Sequence, residues 1–229
     1  MAKDPSQASV AAFLTLMGRF GDATGVPTTG VTVSSEIVPG ELQDRDILVI
    51  GSSAMAGAST LFENAPLTYN DGVLHVAERS PLQYIGALFG GMKTDNPAEA
   101  EPVVYGSRDF SGIVSFQSPF SAKRTVVALL ADNGSSLPML VDGMADDKIN
   151  AAIQGDLAVT SGEGMTSFAI GSTYWVGTLP LWMKAAYWFS QRPALMGLFT
   201  VLLAVVLASP VYLYFRRQAA RRLGEKDLH

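Results

Sequence analysis

The sequence predicts a layered α/β domain with a largely parallel sheet, followed by an amphipathic interface helix and one transmembrane helix. Two apolar runs, Asp46–Gly51 and Thr125–Ala131, have the continuous hydrophobicity of strands that are buried on both faces of a parallel sheet. Strand-like and helix-like segments alternate along the rest of the domain, which favours an α/β fold. Near the C-terminus, Ala194–Phe215 contains 22 residues without a charged side chain.

The N-terminal half begins with a predicted helix. It starts near Ser6, ends at the glycines at 21 and 25, and carries an apolar face. That face consists of Val10, Phe13, Leu14, Met17 and Phe20. A short strand is predicted at 31–33, and Asp71-Gly72 predicts a hairpin between 67–69 and 73–76. Ser80-Pro81 predicts a further helix toward Gly90, with a polar loop at 92–102.

The second half continues the alternation of strands and helices. Strands are predicted at 103–105, 112–116, 125–130, 156–160 and 166–170. Helices are predicted at 137–144 and 147–153. These elements place the soluble domain at residues 5–176.

Composition and charge exclude several classes of protein. The chain is 48% hydrophobic and only 16% charged, which excludes an intrinsically disordered protein. It has no cysteine, so disulfides and thiolate metal sites are excluded. Residues 1–193 carry a net charge of −8, and this acidity argues against nucleic-acid binding.

The glycine-rich stretch Gly51–Gly57 follows a buried strand, where an α/β domain would bind a phosphate or a flavin. Its spacing matches neither the dinucleotide-binding nor the P-loop pattern. The alternative is a plain strand-to-helix loop, with Met55 directing apolar bulk toward any phosphate. We therefore expect no cofactor.

Other candidate residues have a functional and a structural interpretation. His75 is the only internal histidine, so it lacks a second histidine for a metal site and is expected to be a satisfied or surface residue. Glu99 and Glu101 could form a glycosidase pair only within a cleft. Three aspartates are expected to form a solvated face: Asp142, Asp146 and Asp147. Three aromatic residues are expected to belong to the core: Phe110, Phe116 and Phe120. The aromatics could alternatively stack on a sugar. No catalytic residue and no metal ligand is predicted.

The uncharged stretch Ala194–Phe215 would span roughly 33 Å as a helix, about the thickness of the hydrocarbon core of a bilayer. Pro193 suits its first turn, and Pro210 lies late in the span. Four arginines follow it, namely Arg216, Arg217, Arg221 and Arg222. The positive-inside rule places this basic tail, residues 216–229, in the cytoplasm. The acidic domain then lies on the other side, which is the periplasm in a Gram-negative bacterium.

The segment at 179–191 predicts an amphipathic helix beside the span. At 100° per residue one arc is apolar, and Lys184, Tyr187, Ser190 and Gln191 lie on the other. The apolar arc comprises Leu181, Trp182, Ala185, Ala186, Trp188 and Phe189. Tryptophans next to a span favour the headgroup region, so we expect this helix to lie in the membrane interface. The alternative is a helix docked on its own domain.

The N-terminus has no apolar segment typical of a signal peptide. A domain of this size must nevertheless be exported if it lies in the periplasm. We therefore expect the chain to be a fragment of a longer exported protein.

Three stretches together resemble one protein family. They are Ser115–Phe120 with Arg124–Asp132 (SFQSPF…RTVVALLAD), Tyr174–Trp182 (YWVGTLPLW), and the single span with its arginine-rich tail. They are similar to the C-terminal portion of the bacterial cellulose synthase regulatory B subunit. The resemblance extends from about residue 13 to residue 223 and is most specific in the first two stretches.

The resemblance implies a flavodoxin-like domain that carries no flavin, in a non-catalytic, membrane-anchored subunit. Its partners would be the catalytic glycosyltransferase subunit of cellulose synthase, the lipid bilayer and the nascent glucan. The family's older description as a cyclic di-GMP-binding protein would not transfer, because that ligand is cytoplasmic. The carbohydrate-binding-like domains of the family are missing here, which puts direct glucan binding by this chain in doubt.

The expected partner interface combines the apolar arc of the interface helix with small residues on the span, Gly197, Ala204 and Ala208, which permit close helix approach. For these small residues the alternative is a surface that faces lipid. The alternative function is a membrane-tethered periplasmic module that binds a ligand or a flavin.

Overall fold

A computed structural model describes residues 6–77, 95–107, 109–162, 164–190 and 193–224. The chain divides into two compact units, Met1–Leu179 and Pro180–His229. The predicted helix from Ser80 toward Gly90 and the first part of the predicted loop at 92–102 lie outside the described residues.

The first unit contains seven strands and five α-helices among its described residues. The strands are β1 (Ile47–Ser52), β2 (Leu67–Asn70), β3 (Val73–Val76), β4 (Ser111–Gln117), β5 (Thr125–Ala131), β6 (Leu157–Ser161) and β7 (Gly164–Phe168). The helices are α1 (Gln7–Thr24), α2 (Met55–Ala58), α3 (Pro97–Tyr105), α4 (Ser136–Gly143) and α5 (Asp147–Ala152), with a 3-10 turn at Thr60–Phe62. The second unit contains α6 (Leu181–Ser190) and α7 (Pro193–Gly224).

Five strands form one mixed sheet in the order β1-β5-β4-β6-β7. Strands β1 and β5 are parallel, whereas β4 pairs antiparallel with both β5 and β6, and β6 pairs antiparallel with β7. The α/β prediction is confirmed, but the prediction of a largely parallel sheet is wrong. A parallel connection needs a dozen or more residues, whereas 118–124 and 162–163 are too short for any connection except an antiparallel one.

Strand β5 lies between β1 and β4 and is mostly buried, as its continuous apolar sequence predicts. Strand β1 is less buried than predicted: it lies at an edge of the described sheet, and only Val49 and Gly51 are buried. Its apolar run reflects two covered faces rather than two neighbouring strands. Val49 packs into one hydrophobic cluster, and Leu48 and Ile50 pack against the other.

The two clusters cover opposite faces of the sheet. One face packs against α2, the 3-10 turn, the β2–β3 hairpin and α3, through residues that include Phe62, Leu74 and Val104. The other face packs against α1 and α4, through residues that include Leu16 and Leu140. Alternating side chains of β5 supply both clusters, Leu130 to the first and Leu129 to the second. The sheet is therefore enclosed by helices on both sides.

Helix α1 begins where the sequence predicts, because the Ser6 hydroxyl accepts a hydrogen bond from the Ser9 N–H at 3.0 Å. Its buried face differs from the prediction. Ala12 and Leu16 are buried, whereas Val10, Leu14 and Phe20 are exposed. Because a small alanine lets the helix approach the sheet closely, the arc with Ala12 and Leu16 faces the core. The bulkier arc beside it, with Val10, Leu14 and Phe20, is exposed.

Two predicted strands are absent from the described residues. The segment at 31–33 has no ladder partner, and Val31 and Val33 are exposed. The segment at 103–105 is the end of helix α3. The helix also includes residues 97–102, which were predicted to belong to the polar loop. The Asn96 side chain accepts from the Ala98 N–H at 3.1 Å and Pro97 occupies the first turn, so capping starts a helix and outweighs the strand propensity of the valines.

The predicted hairpin is confirmed, with Leu67 paired to Val76 and Asn70 paired to Val73. Asp71 and Gly72 both have positive φ angles, 52° and 85°, which the tight turn requires. This hairpin forms a separate two-stranded sheet.

Candidate membrane and partner interface

Helix α6 presents large apolar side chains to its surroundings. Leu181 is 83% exposed and Trp182 is 70% exposed. The carbonyl of Pro180 accepts from the N–H groups of Met183 and Lys184 and so begins the helix. Ala185 is exposed on the same arc, while the side chains of Trp188 and Phe189 lie outside the described residues. Exposed apolar side chains grouped in this way are typical of surfaces that bind lipid or another protein segment.

Helix α7 contains one segment, Met196–Ala219, that is long and apolar enough to cross a membrane, and none of it is buried. The Thr200 and Ser209 hydroxyls inside it donate to carbonyls one turn back, Thr200 to Met196 at 2.9 Å and Ser209 to Val205 at 2.7 Å. These hydroxyls therefore need no partner in hydrocarbon. The helix begins at Pro193, as predicted, and continues through Pro210.

The predicted interface residues on α7 fall on one stripe. Gly197, Ala204 and Ala208 lie within an arc of about 40° at 100° per residue, and all three are exposed. No heavy atom outside its own helix lies within 4 Å of the position that a Cβ on Gly197 would occupy. Close approach of a second helix is therefore sterically possible here.

The C-terminal end of the span combines aromatic and basic side chains. The rings of Tyr214 and Phe215 meet edge to face with centroids 5.6 Å apart, and Arg216 and Arg217 follow, both exposed. The side chains of Arg221 and Arg222 lie outside the described residues. Aromatic residues followed by arginines are typical of a membrane–water boundary.

The loop Gly51–Gly57 is filled by the protein's own side chains. A Cβ on Gly51 would lie 2.5 Å from the Met55 sulfur, so Met55 covers the end of β1. The Ser53 hydroxyl donates to the Asp132 carboxylate, which also accepts from the Phe110 N–H at 3.0 Å. These contacts support the interpretation of a structural loop.

His75 and Glu101 form a pair that the sequence did not predict. The His75 Nδ1 lies 2.9 Å from one Glu101 oxygen, and the other oxygen accepts from the Val76 N–H at 2.7 Å. Glu101 thus links helix α3 to strand β3, and His75 is satisfied as predicted. Glu99 lies in the exposed first turn of the same helix, where a carboxylate stabilises the helix N-terminus.

The other candidate residues have structural roles. Phe110 and Phe116 are buried, and the Phe116 ring lies 5.4 Å from that of Phe62, so these two belong to the core. Phe120 is half-buried and packs against the same cluster. The three aspartates are exposed, and Asp146 caps helix α5 by accepting from the Lys148 N–H at 2.8 Å. Among the described residues, no group of three or more His, Asp or Glu side chains could hold a metal ion.

A shallow polar cleft of about 220 Å³ lies beside the end of β4. Glu63, Asn64, Gln117 and Asp156 contribute its polar lining. Three of these side chains are already engaged: Asn64 and Gln117 donate to backbone carbonyls, and Asp156 accepts from the N–H groups of Ile170 and Gly171. The Asp156 carboxylate therefore holds the chain after β7.

The segment that follows this turn is a feature that the sequence did not predict. The Tyr174 hydroxyl donates to Thr125 Oγ1 at 3.2 Å, and the Gly177 N–H donates to the Lys123 carbonyl at 2.9 Å. Burial raises the pKa of Tyr174 above its ordinary value. We name residues 174–177 the strap. The available signal in the sequence was the glycine at 177 soon after the aromatic residues Tyr174 and Trp175, and the structure gives this glycine a positive φ of 72°.

An ion triad lies beside the strap. Arg124 Nε is 3.1 Å from Asp44 and its Nη1 is 3.4 Å from Asp46. The hydrogen bond that Arg124 donates to the Asp44 carboxylate raises the pKa of Arg124 above its ordinary value. Asp46 also accepts from the Thr125 N–H at 3.0 Å, which joins the start of β1 to the start of β5.

Comparison with known proteins gives consistent matches. The family model described as "Cellulose synthase BcsB, second FD domain" matches residues 1–129. A "Cyclic di-GMP-binding protein" of Komagataeibacter sucrofermentans is 34% identical over 215 residues, which cover 90% of this chain and 27% of that protein. The protein of the same name from Komagataeibacter xylinus is 31% identical over 97% of this chain and 29% of its own length. "Cellulose synthase 1" of Novacetimonas hansenii is 32% identical over 99% of this chain and 15% of its own length. The chain thus spans less than a third of each of these relatives.

Proposed function

The chain belongs to the cellulose synthase BcsB family, and on this premise we propose that it is a non-catalytic, membrane-anchored part of a cellulose synthase complex. Its role is to support the catalytic glycosyltransferase through helices α6 and α7. The observation that carries the proposal is that both helices carry large exposed apolar side chains, and that one of them is long and apolar enough to cross a membrane.

Helix α7 is the anchor, and it contacts the partner by packing. Lipid is as apolar as leucine, so helices associate within a bilayer through close packing rather than through the hydrophobic effect. The stripe of Gly197, Ala204 and Ala208 offers such a surface. Helix α6 lies in the interface beside the partner, with Leu181 and Trp182 directed toward it or toward lipid.

The orientation of helix α7 in the membrane gives the location of the two ends of the chain. The arginine-rich end lies in the cytoplasm, and the acidic domain lies in the periplasm of an inner-membrane complex. There it assists the passage of the glucan. The cyclic di-GMP named for the relatives is not assigned to this chain. We propose that the domain is related to the flavodoxin-like fold, which the helices on both faces of its sheet support. Met55 fills the strand-end loop where that fold would bind a flavin.

Helix replacement in the full-length subunit tests this function. Replacing Ala194–Phe215 with an unrelated apolar helix of equal length should retain membrane insertion yet abolish glucan synthesis in membrane vesicles. A Leu181→Glu variant should do the same, because it places a charge on the apolar arc of α6. Ser190→Glu is the matched control, since it adds the same charge on the polar arc and should leave synthesis near the wild-type level.

Two outcomes would contradict the proposal. If synthesis survives both changes, the helices are only a tether and support must come from the periplasmic domain. If the purified chain shows flavin absorbance, the alternative of a tethered flavin-binding module would replace it.

A further inference from the structure

The strap holds two exposed apolar side chains at a fixed place on the soluble unit. Trp175 is 37% exposed and Val176 is 47% exposed. Hydrogen bonds fix the chain on either side of them, from Tyr174 to Thr125 and from Gly177 to Lys123. The pair is therefore presented by an ordered scaffold rather than by a free linker.

The charges beside the strap differ from those of the rest of the domain. Residues 1–193 carry a net charge of −8, which anionic lipid would repel. Beside the strap, Asp44 and Asp46 are both paired with Arg124, and Lys123 is exposed. Pairing with Arg124 neutralises part of the acidic charge here, and the exposed ammonium of Lys123 adds positive charge, so an anionic surface repels this region less than the rest of the domain.

The chain itself limits how far the strap can lie from helix α6. Only Thr178, Leu179 and Pro180 separate Gly177 from the first residue of the helix. Even a fully extended connection of this length spans no more than about 15 Å. Because α6 is proposed to lie in the headgroup region, this short connection keeps the strap within about 15 Å of that region.

We propose that Trp175 and Val176, together with Lys123, form a second membrane contact, in which the soluble unit rests on the headgroups of the leaflet that binds helix α6. A tryptophan with an apolar neighbour and a lysine is suited to this layer, because the ring favours the boundary between hydrocarbon and water and the ammonium favours lipid phosphate. The contact would restrict tilting of the domain above the membrane. The inference rests on the proposed membrane anchoring and goes beyond it.

Tryptophan fluorescence in the full chain tests the contact. The protein has three tryptophans, so Trp182→Phe with Trp188→Phe leaves Trp175 as the only indole. The variant is reconstituted into vesicles of phosphatidylcholine and phosphatidylglycerol brominated near the headgroup. We expect its fluorescence to fall roughly two-fold relative to unbrominated vesicles, with less quenching when bromine lies deep in the acyl chains.

A second reporter separates this inference from the proposed function. The variant that retains only Trp182 reports on helix α6. Quenching of Trp182 without quenching of Trp175 would overturn the strap contact and leave the interface helix intact. Absence of quenching in both variants would overturn the strap contact and the interfacial helix together.

Charge reversal gives an independent readout. In the variant that retains only Trp175, Lys123→Glu should reduce quenching in anionic vesicles and have a smaller effect in vesicles of phosphatidylcholine alone. Lys123 contributes its backbone carbonyl to the strap, so the substitution leaves that hydrogen bond in place. Lys148→Glu, an exposed change on helix α5, is the matched control and should not alter quenching. Equal effects of the two reversals would contradict a local contact at the strap.

Discussion

The hydroxyl of Ser53 donates a hydrogen bond to the carboxylate of Asp132, a residue 79 positions later in the chain. The two residues directly follow β1 and β5, the one parallel pair of strands within the described sheet. The second oxygen of Asp132 accepts from the Phe110 N–H, one residue before β4. One carboxylate thus links three neighbouring strands, β1, β5 and β4, at the same end of the sheet.

Removing that carboxylate should destabilise the domain. We expect Asp132→Ala to lower the free energy of unfolding by about 1–3 kcal/mol, because it leaves the Phe110 N–H and the Ser53 hydroxyl without their acceptor. Urea denaturation followed by circular dichroism measures the change. Asp142→Ala, which removes an exposed carboxylate on α4, should change stability by less than about 0.5 kcal/mol. Equal losses would show that Asp132 has no special structural role.

Two glycines with positive φ angles should respond differently to substitution. Gly155 has φ 71°, and a Cβ there would clash with the Phe168 carbonyl, whereas Gly162 has φ 58° and open space around it. We expect Gly162→Ala to cost roughly 1 kcal/mol from backbone strain alone. Gly155→Ala should cost clearly more, since β7 must also shift. Thermal unfolding of the two variants compares them, and a larger loss for Gly162→Ala would contradict the described turn.

The orientation of the span can be measured with a reporter enzyme that is active only in the periplasm. Fused after Gly224, the reporter should be inactive, because Arg216, Arg217 and the two arginines that follow retain this end in the cytoplasm. Fused after Gly177 of the full-length exported subunit, it should be active. Replacing the four arginines with glutamate should raise the activity of the C-terminal fusion. An active fusion in the unaltered chain would reverse the proposed topology.

Tyr174 should make stability depend on alkaline pH. Burial raises its pKa in the folded state above the ordinary value of 10.0. The unfolded chain therefore loses this proton first. The contribution of Tyr174 is fully present below pH 10.0 and is lost as the pH rises through the folded-state pKa. Urea denaturation of the wild type and of Tyr174→Phe, at pH values on both sides of 10.0, should show a steeper decline for the wild type. Tyr105→Phe, at an exposed position, should decline like the wild type.

The sequence was sufficient for features that local chemistry controls. Helix α1 was predicted from its capping serine and the glycines that end it, and the β2–β3 hairpin from Asp71-Gly72. The apolar span was predicted from its uncharged length, because a helix must satisfy its own backbone wherever water is absent. The family was predicted from stretches such as SFQSPF, and the comparison with known proteins confirmed the family.

The tertiary structure decided features that depend on residues distant in the chain. Apolar runs identified β1 and β5 as strands but could not give the direction of their neighbours, since an apolar strand suits either direction once helices cover both faces. The short connections at 118–124 and 162–163 contained that information. Likewise, the apolar arc of α1 did not show which of two adjacent arcs would be buried. The contacts of Asp132 with Ser53 and of Tyr174 with Thr125 join segments far apart in sequence, and only folding brings them together, because no local pattern encodes a long-range hydrogen bond.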